Sequence, residues 1–467
     1  MRRLVYLSAV LILCVSACQT RQGILRPASD VEGAVYVYLK PLPQEAGRLS
    51  FVLESFSAVS EDNTVVPLSV AYHRIGARDP RRQQLLALGN LAPGKYQGFS
   101  LRVKEALLLG EEEASLLVPE GVVRVDFPFR IERRRSRVVF LAFQYAESLQ
   151  GGVSFEPVFS VYPPPVPPSG LLGFVSNSRS NNITVFDKKN TEVVGIISTG
   201  NNPMGMVFDQ RSGKIYVAVS GEDSIEVVDA LQQEVTNRIR LRSGDAPREL
   251  AISPDGRTII VANAGSNSVS FIDASTYLEV QRISVGVFPG SLLMDRAGRR
   301  AYVFNKFSST ATILDIPTRS LVGTVGTDPG PIRGQFNRRG DRLYIIHDNS
   351  PYMITYLTSS LTVQRRDYLG VGANAIKVDH RSDYLYISMK GNDRIQVFDS
   401  VSFLPVDQIA VGGSAEDFAV DNEENTLLAV MPDQNAVRVV NLVSNVVASS
   451  VEIGEGSFRI VVSGEQR

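Results

Sequence analysis

Ile260-Val261-Ala262-Asn263 decides the fold, because the chain keeps returning to it. The same pattern stands at Phe174-Val175-Ser176-Asn177, Tyr216-Val217-Ala218-Val219, Tyr302-Val303-Phe304-Asn305, Tyr344-Ile345-Ile346-His347, Tyr386-Ile387-Ser388-Met389 and Leu428-Ala429-Val430-Met431. Successive copies are 42, 44, 42, 42, 42 and 42 residues apart. A second track, at Asp187, Asp229, Asp273, Asp315, Leu357, Asp399 and Asn441, keeps the same steps. Each unit holds four short apolar runs divided by turn signals such as Ser253-Pro254-Asp255-Gly256. Four strands per period near 42 predict a propeller blade and not a helical solenoid. Seven units predict seven blades.

Counting strands shows how such a ring closes. The first unit starts at the run ending in Ser176-Asn177, without the innermost strand that precedes every later copy. Ser457-Phe458-Arg459-Ile460-Val461-Val462-Ser463 aligns with the innermost strand at residues 247–253 and has no blade after it. The C-terminus is therefore expected to complete blade one, removing two open sheet edges that would invite aggregation.

The repeat resembles the YVTN propeller repeat of bacterial and archaeal surface proteins, most visibly in Ile260-Val261-Ala262-Asn263 followed by Asn267-Ser268-Val269. The resemblance covers residues 171–463. It is weakest in blades five to seven, where His347, Met389 and Met431 replace the motif asparagine, so remodelled turns are expected there.

Upstream, Tyr162-Pro163-Pro164-Pro165-Val166-Pro167-Pro168-Ser169-Gly170 cannot form a helix or central strand, since proline lacks the N–H and fixes φ. It predicts a semi-rigid linker. Residues 31–161 contain period-two runs such as Ala34-Val35-Tyr36-Val37-Tyr38-Leu39 and Val138-Val139-Phe140-Leu141-Ala142-Phe143, which predict a small antiparallel β-sandwich. Leu91-Ala92-Pro93-Gly94-Lys95-Tyr96 and Phe155-Glu156-Pro157-Val158 make this part similar to a β-sandwich domain found behind the lipobox of other bacterial lipoproteins. Arg133-Arg134-Arg135-Ser136-Arg137 reads as a solvated hairpin turn, with contact to anionic lipid headgroups as the alternative.

At the N-terminus, Arg2 and Arg3 precede an apolar run at residues 4–13, too short for a membrane-crossing helix and suited to a cleaved leader. Val15-Ser16-Ala17-Cys18 resembles the bacterial lipobox, which implies that Cys18 is acylated and becomes the mature N-terminus. The expected organisation is a leader at 1–17, a tether at 18–30, the sandwich at 31–161, the linker at 162–170 and the propeller at 171–467. Losing Arg2 and Arg3 leaves 46 basic against 49 acidic side chains, about −3, which offers nothing to nucleic acid. With Cys14 removed and Cys18 lipidated, no disulfide remains. Gln19 stands where aspartate would favour inner-membrane retention, so the lipid on Cys18 is expected to hold the protein to the outer membrane of the cell envelope.

Propellers bind at the channel mouth, where loops converge on the innermost strands. The aligned positions there are Gly205, Glu249, Ser291, Arg333, Ala375, Asp417 and Arg459, preceded by Met204, Arg248, Gly290, Ile332, Asn374, Glu416 and Phe458. Arg248, Arg333 and Arg459 offer forked donors for an acidic group, while Glu249, Asn374, Glu416 and Asp417 orient hydroxyls. Salt bridging among these groups is the simpler reading. No catalytic residue, cofactor or metal is expected: C-x-x-C-H is absent, tryptophan is absent, and His73, His347 and His380 are scattered. Binding or scaffolding toward a protein, peptide or glycan partner is the favoured function, and a lactonase-like hydrolase of a small sugar-derived substrate is the alternative, by analogy of fold.

Replacing Cys18 with serine should abolish incorporation of radioactive fatty acid while leaving the fold intact. Label in the Cys18→Ser protein would refute the lipid assignment.

Overall fold

The computed structural model describes residues 31–76, 83–110 and 113–465. Cys18, the leader and the tether lie outside the described residues. The chain is almost entirely β-structure, in two modules.

Seven four-stranded antiparallel sheets form a seven-bladed propeller. The strand that carries each motif runs second from the axis, as Leu172–Asn177 in blade one and Thr258–Asn263 in blade three. The motif asparagine is buried and ties its strand to the next. Asn177 Nδ2 donates to Thr184 Oγ1 at 2.9 Å, Asn263 Nδ2 to Ser270 Oγ at 2.8 Å and Asn305 Nδ2 to Thr312 Oγ1 at 2.9 Å. In blade five the buried His347 takes over, its Nδ1 lying 2.9 Å from the Tyr352 carbonyl oxygen. In blades six and seven Met389 and Met431 are simply buried in the blade interior.

Blade one has the order outer strand Glu192–Ser198, then Asn182–Asp187, Leu172–Asn177 and, innermost, Ser457–Val462. The C-terminal strand thus closes the ring, pairing antiparallel with Gly173 opposite Val462 and Ser176 opposite Arg459. Phe458, Ile460, Val461 and Val462 are all buried. Below them Lys188, 1% exposed, bridges Asp421 of blade seven at 2.8 Å and donates to the Ser463 carbonyl at 2.7 Å.

The N-terminal module is a continuous sheet that folds back over one core containing Val35, Phe51, Phe56, Phe99, Phe129 and Phe155. It is not wholly antiparallel. Gly33–Leu39 lies between Gln84–Leu91, antiparallel, and Ser136–Phe143, parallel, because both parallel neighbours start from the same end of the sheet. Nor does the arginine run make a hairpin. It links Val123–Ile131 to Ser136–Phe143, which pair with different neighbours in the two halves of the sheet. Arg135 reaches across to Glu234 of blade two at 2.6 Å.

The two modules share a core. Ala34, Tyr36, Tyr38, Val138 and Phe140 pack with Val193, Ile196, Val439, Val451 and Ile453 of blades one and seven. Tyr36 accepts a hydrogen bond from Asn182 Nδ2 at 3.1 Å, yet burial pushes its hydroxyl up to about 12. Gln83 pairs with the Val193 backbone like an extra strand, its Oε1 accepting from Val193 N at 2.8 Å. Glu452 of blade seven accepts from Leu85 N at 2.9 Å. The outer strand of blade one is consequently buried through its middle, whereas the equivalent Ser320–Gly326 of blade four is largely exposed. The sandwich covers the seam at which the ring closes.

Candidate functional site

Six of the innermost strands share a local device. Their pairing registers shift just after the first residue, between Pro203 and Met206, Pro247 and Glu249, Pro289 and Ser291, Pro331 and Arg333, Ala373 and Ala375, and opposite Ser457 and Arg459. A bulge leaves one residue unpaired and re-aims its side chain. In this way Arg248, Asn374 and Phe458 leave the ladder at the mouth while Glu249, Arg333 and Arg459 stay in it. Blade two contributes no side chain at Gly205. A Cβ there would come within 2.7 Å of the Arg248 carbonyl oxygen and 2.5 Å of Glu249 Oε1.

The charges divide into a closed network and one isolated cation. Arg333 Nη1 lies 3.1 Å from Asp417 Oδ1, and its Nη2 lies 3.6 Å from Glu416 Oε1. Arg459 Nη1 reaches the same Asp417 oxygen at 3.4 Å and Glu249 Oε2 at 3.6 Å. Asp417 Oδ2 accepts from Ile460 N at 3.0 Å, and Asn374 Nδ2 donates to Glu416 Oε2 at 3.1 Å. Residues from blades one, three, five, six and seven are thereby bonded around the axis. Arg333 and Arg459 are neutralised by carboxylates and do not stand as free like charges.

Arg248 stands apart from this network. Its guanidinium lies 5.0 Å from the Phe458 ring centroid and 5.6 Å from that of Phe288, and among the described residues no carboxylate forms a salt bridge with it. Burial lowers its pKa, the charges of Glu416 and Glu249 offset only part of this, and the neighbouring Arg333 charge acts against them. Phe288 packs against Phe307 with ring centroids 4.9 Å apart and the planes tilted by 39°, and Phe307 is 65% exposed. Neither phenylalanine stands at an aligned mouth position, and both come from loops. The signal for Phe288 lay in the repeat, since the residues at the aligned position elsewhere are Asn202, Ala246, Gly330, Gly372, Ser414 and Gly456.

Burial is also decisive for Glu249, which is 1% exposed. Desolvation pushes its carboxyl up despite Arg459, whose charge is conversely held firm. Both pKa values are raised, which disfavours the charge on Glu249 and favours that on Arg459: Arg459 has two carboxylates and partial solvent contact, while Glu249 has one cation at 3.6 Å and almost no water. His347 and Asp348 do not act as a couple, for Asp348 is paired with Lys306 at 2.6 Å.

A cleft of about 1540 Å³ lies elsewhere, between the arginine run and the outer strands of blades one and two. Several charges on its walls are already paired, Arg135 with Glu234 and Arg238 with Glu222 and Glu226. The mouth, where a partly buried cation lies against two aromatic rings, is the stronger candidate.

Four-stranded blades closed by a strand from the far end of the chain, with polar side chains converging on the axis, define a β-propeller protein. The chain belongs to the YNCE-like β-propeller family, whose profile matches residues 212–464. It is 25% identical over 229 residues to the uncharacterized protein YwhL of Bacillus subtilis (strain 168), covering 47% of this chain. The match spans about half the length of that relative, 49%. Among solved structures, a functionally unknown protein from Desulfotomaculum acetoxidans DSM 771 superposes with a TM-score of 0.55 at 12% identity, over 63% of this chain and 99% of that one. Kuenenia stuttgartiensis hydrazine synthase superposes with a TM-score of 0.51 at 18% identity, over 64% of this chain and 94% of that one. These likenesses establish the fold alone.

The raised Glu249 pKa makes a signed prediction. The folded state favours its protonated form, so this stability is complete below the ordinary value of 4.5 and lost as pH rises through the folded value. Glu249→Gln should therefore melt near wild type at about pH 4.5 and increasingly above it toward about pH 8. A wild type more stable than Glu249→Gln at the upper pH would show that pairing with Arg459 outweighs burial.

Proposed function

We propose that this is a lipid-anchored protein of the cell envelope that binds or scaffolds a protein, peptide or glycan partner by gripping an acidic group at the propeller mouth. The observation that carries the reading is Arg248, a partly buried guanidinium lying near two aromatic rings with no salt-bridging carboxylate among the described residues. A cation so placed has given up water without gaining a direct ion pair, and an incoming carboxylate or phosphate supplies one. The surrounding network suits recognition more than acid–base chemistry. Asp417 is occupied by two arginines and a backbone N–H, and Glu249 is buried against Arg459.

The lipobox-like Val15-Ser16-Ala17-Cys18 supports the anchor, and Gln19 after it favours the outer membrane. The YVTN-like repeat supports a surface role. The shared core between sandwich and propeller supports an anchor that bears rigidly on the disc, since Tyr36 and Phe140 of the first module are buried against the second.

Arg248→Ala should weaken binding of acidic ligands by roughly 1.5–3 kcal/mol, the contribution of a charge-assisted hydrogen bond, with little change in melting temperature. Calorimetric titration with an array of acidic peptides and uronic-acid glycans checks this. Ligands from that array that bind wild type and Arg248→Ala equally would refute the assignment.

A further inference from the structure

Phe288 occupies a backbone position that suits it badly. The residue just before the innermost strand is left-handed in six of the seven blades: Asn202 (φ 59°), Ala246 (42°), Phe288 (56°), Gly330 (73°), Gly372 (96°) and Gly456 (67°). Glycine and asparagine adopt this conformation readily and a bulky side chain does so at a cost, as Tyr277, Leu361 and Phe403 also do in the outer turns of their blades. Such strain persists where surrounding structure over-determines it, often at binding sites. Here it sets an aromatic ring beside Arg248.

The strained residue also anchors an apolar shelf. Lys306 N donates to the Phe288 carbonyl at 2.9 Å and Phe307 N to the Val287 carbonyl at 3.1 Å, binding two neighbouring loops together. Phe307, 65% exposed, packs against Phe288 with the rings tilted, and Val287 is 48% exposed beside them. Packing the interior does not require large apolar groups on the outer side of these loops. Lys306 on the shelf is already paired with Asp348, so among the described residues Arg248 is the positive charge without a salt bridge at its inner edge.

We propose that the mouth recognises a carboxylate borne directly on an apolar group, as at the C-terminal end of a peptide with an aromatic or aliphatic last side chain. The carboxylate pairs with Arg248 and the side chain lies on Phe288, Phe307 and Val287. This rests on the reading of the mouth as an acid-binding site and adds the class of ligand. A plain anion uses only half of the surface, because a charge gains nothing from the shelf. A neutral apolar group leaves Arg248 unpaired.

The test uses the chain beginning at Gln19 with four probes in calorimetric titration: Ala-Ala-Ala-Phe with a free carboxylate, its C-terminal amide, Ala-Ala-Ala-Gly and glucuronate. The free Phe peptide should bind at least about tenfold more tightly than the amide or the Gly peptide, a factor of ten being about 1.4 kcal/mol. Phe288→Asn, the residue the repeat uses at 202, should remove the preference for Phe over Gly without lowering the melting temperature. Phe307→Ser, a change at an exposed position, should reduce the same preference even if Phe288→Asn fails to fold. Equal binding of the Phe peptide and its amide overturns the proposal. If the Gly peptide or glucuronate binds as tightly as the Phe peptide, the shelf is idle, while the acid-binding reading survives. If none of the four acids and amides binds, both readings fall.

Discussion

One strand pair holds the ring shut. Ser457–Val462 is separated from its partner Leu172–Asn177 by nearly the whole propeller in sequence, so every blade must be in place before the two can meet. The strand brings Phe458, Ile460, Val461 and Val462 into the interior, each worth roughly 1.5–3 kcal/mol when fully buried. Their sum is comparable to the typical net stability of a domain, about 5–15 kcal/mol. A ring without this strand would expose that apolar surface and two ladder edges at once. The same strand supplies Arg459 and Phe458 to the mouth, so closing the fold and assembling the site are one event.

The sandwich reinforces the point of closure. It packs on blades one and seven, which flank the seam, and not on the opposite side of the disc. Lys188 sits beneath the same junction, joining Asp421 of blade seven to the last residues of the closing strand. An ion pair this deeply buried adds little net stability over apolar packing, but losing one partner strands the other charge. Its effect is specificity of register: only the correct pairing brings Lys188, Asp421 and Ser463 together.

The architecture was legible because propeller repeats are physically redundant. Each motif buries the same alternating residues, so the period and the missing first strand were enough to place the C-terminus in blade one. The mouth was partly legible: alignment located Arg248, Arg333 and Arg459, yet gave no distances. Arg333 and Arg459 reach across the axis to share Asp417, and side-chain reach of that kind is set by the tilt and bulge of each inner strand, which spacing does not encode. The position of Phe288 recurs in the repeat, but the contact of its ring with Arg248 and Phe307 depends on the loop's backbone conformation, which spacing does not encode. The parallel pair in the sandwich and the shared core were equally hidden, since the period-two pattern of Ala34-Val35-Tyr36-Val37 does not state which partner each face meets.

A propeller closed in this way should behave as one cooperative unit, with the C-terminal strand as firmly held as strands deep in the sequence. Native-state hydrogen exchange measures this directly. Amides of Ser457–Val462 should exchange within about tenfold of those in Pro247–Ile252, both through global unfolding. Exchange of the closing strand roughly a hundredfold or more faster, with Pro247–Ile252 still protected, would mean that the ring stands without it and would contradict the account.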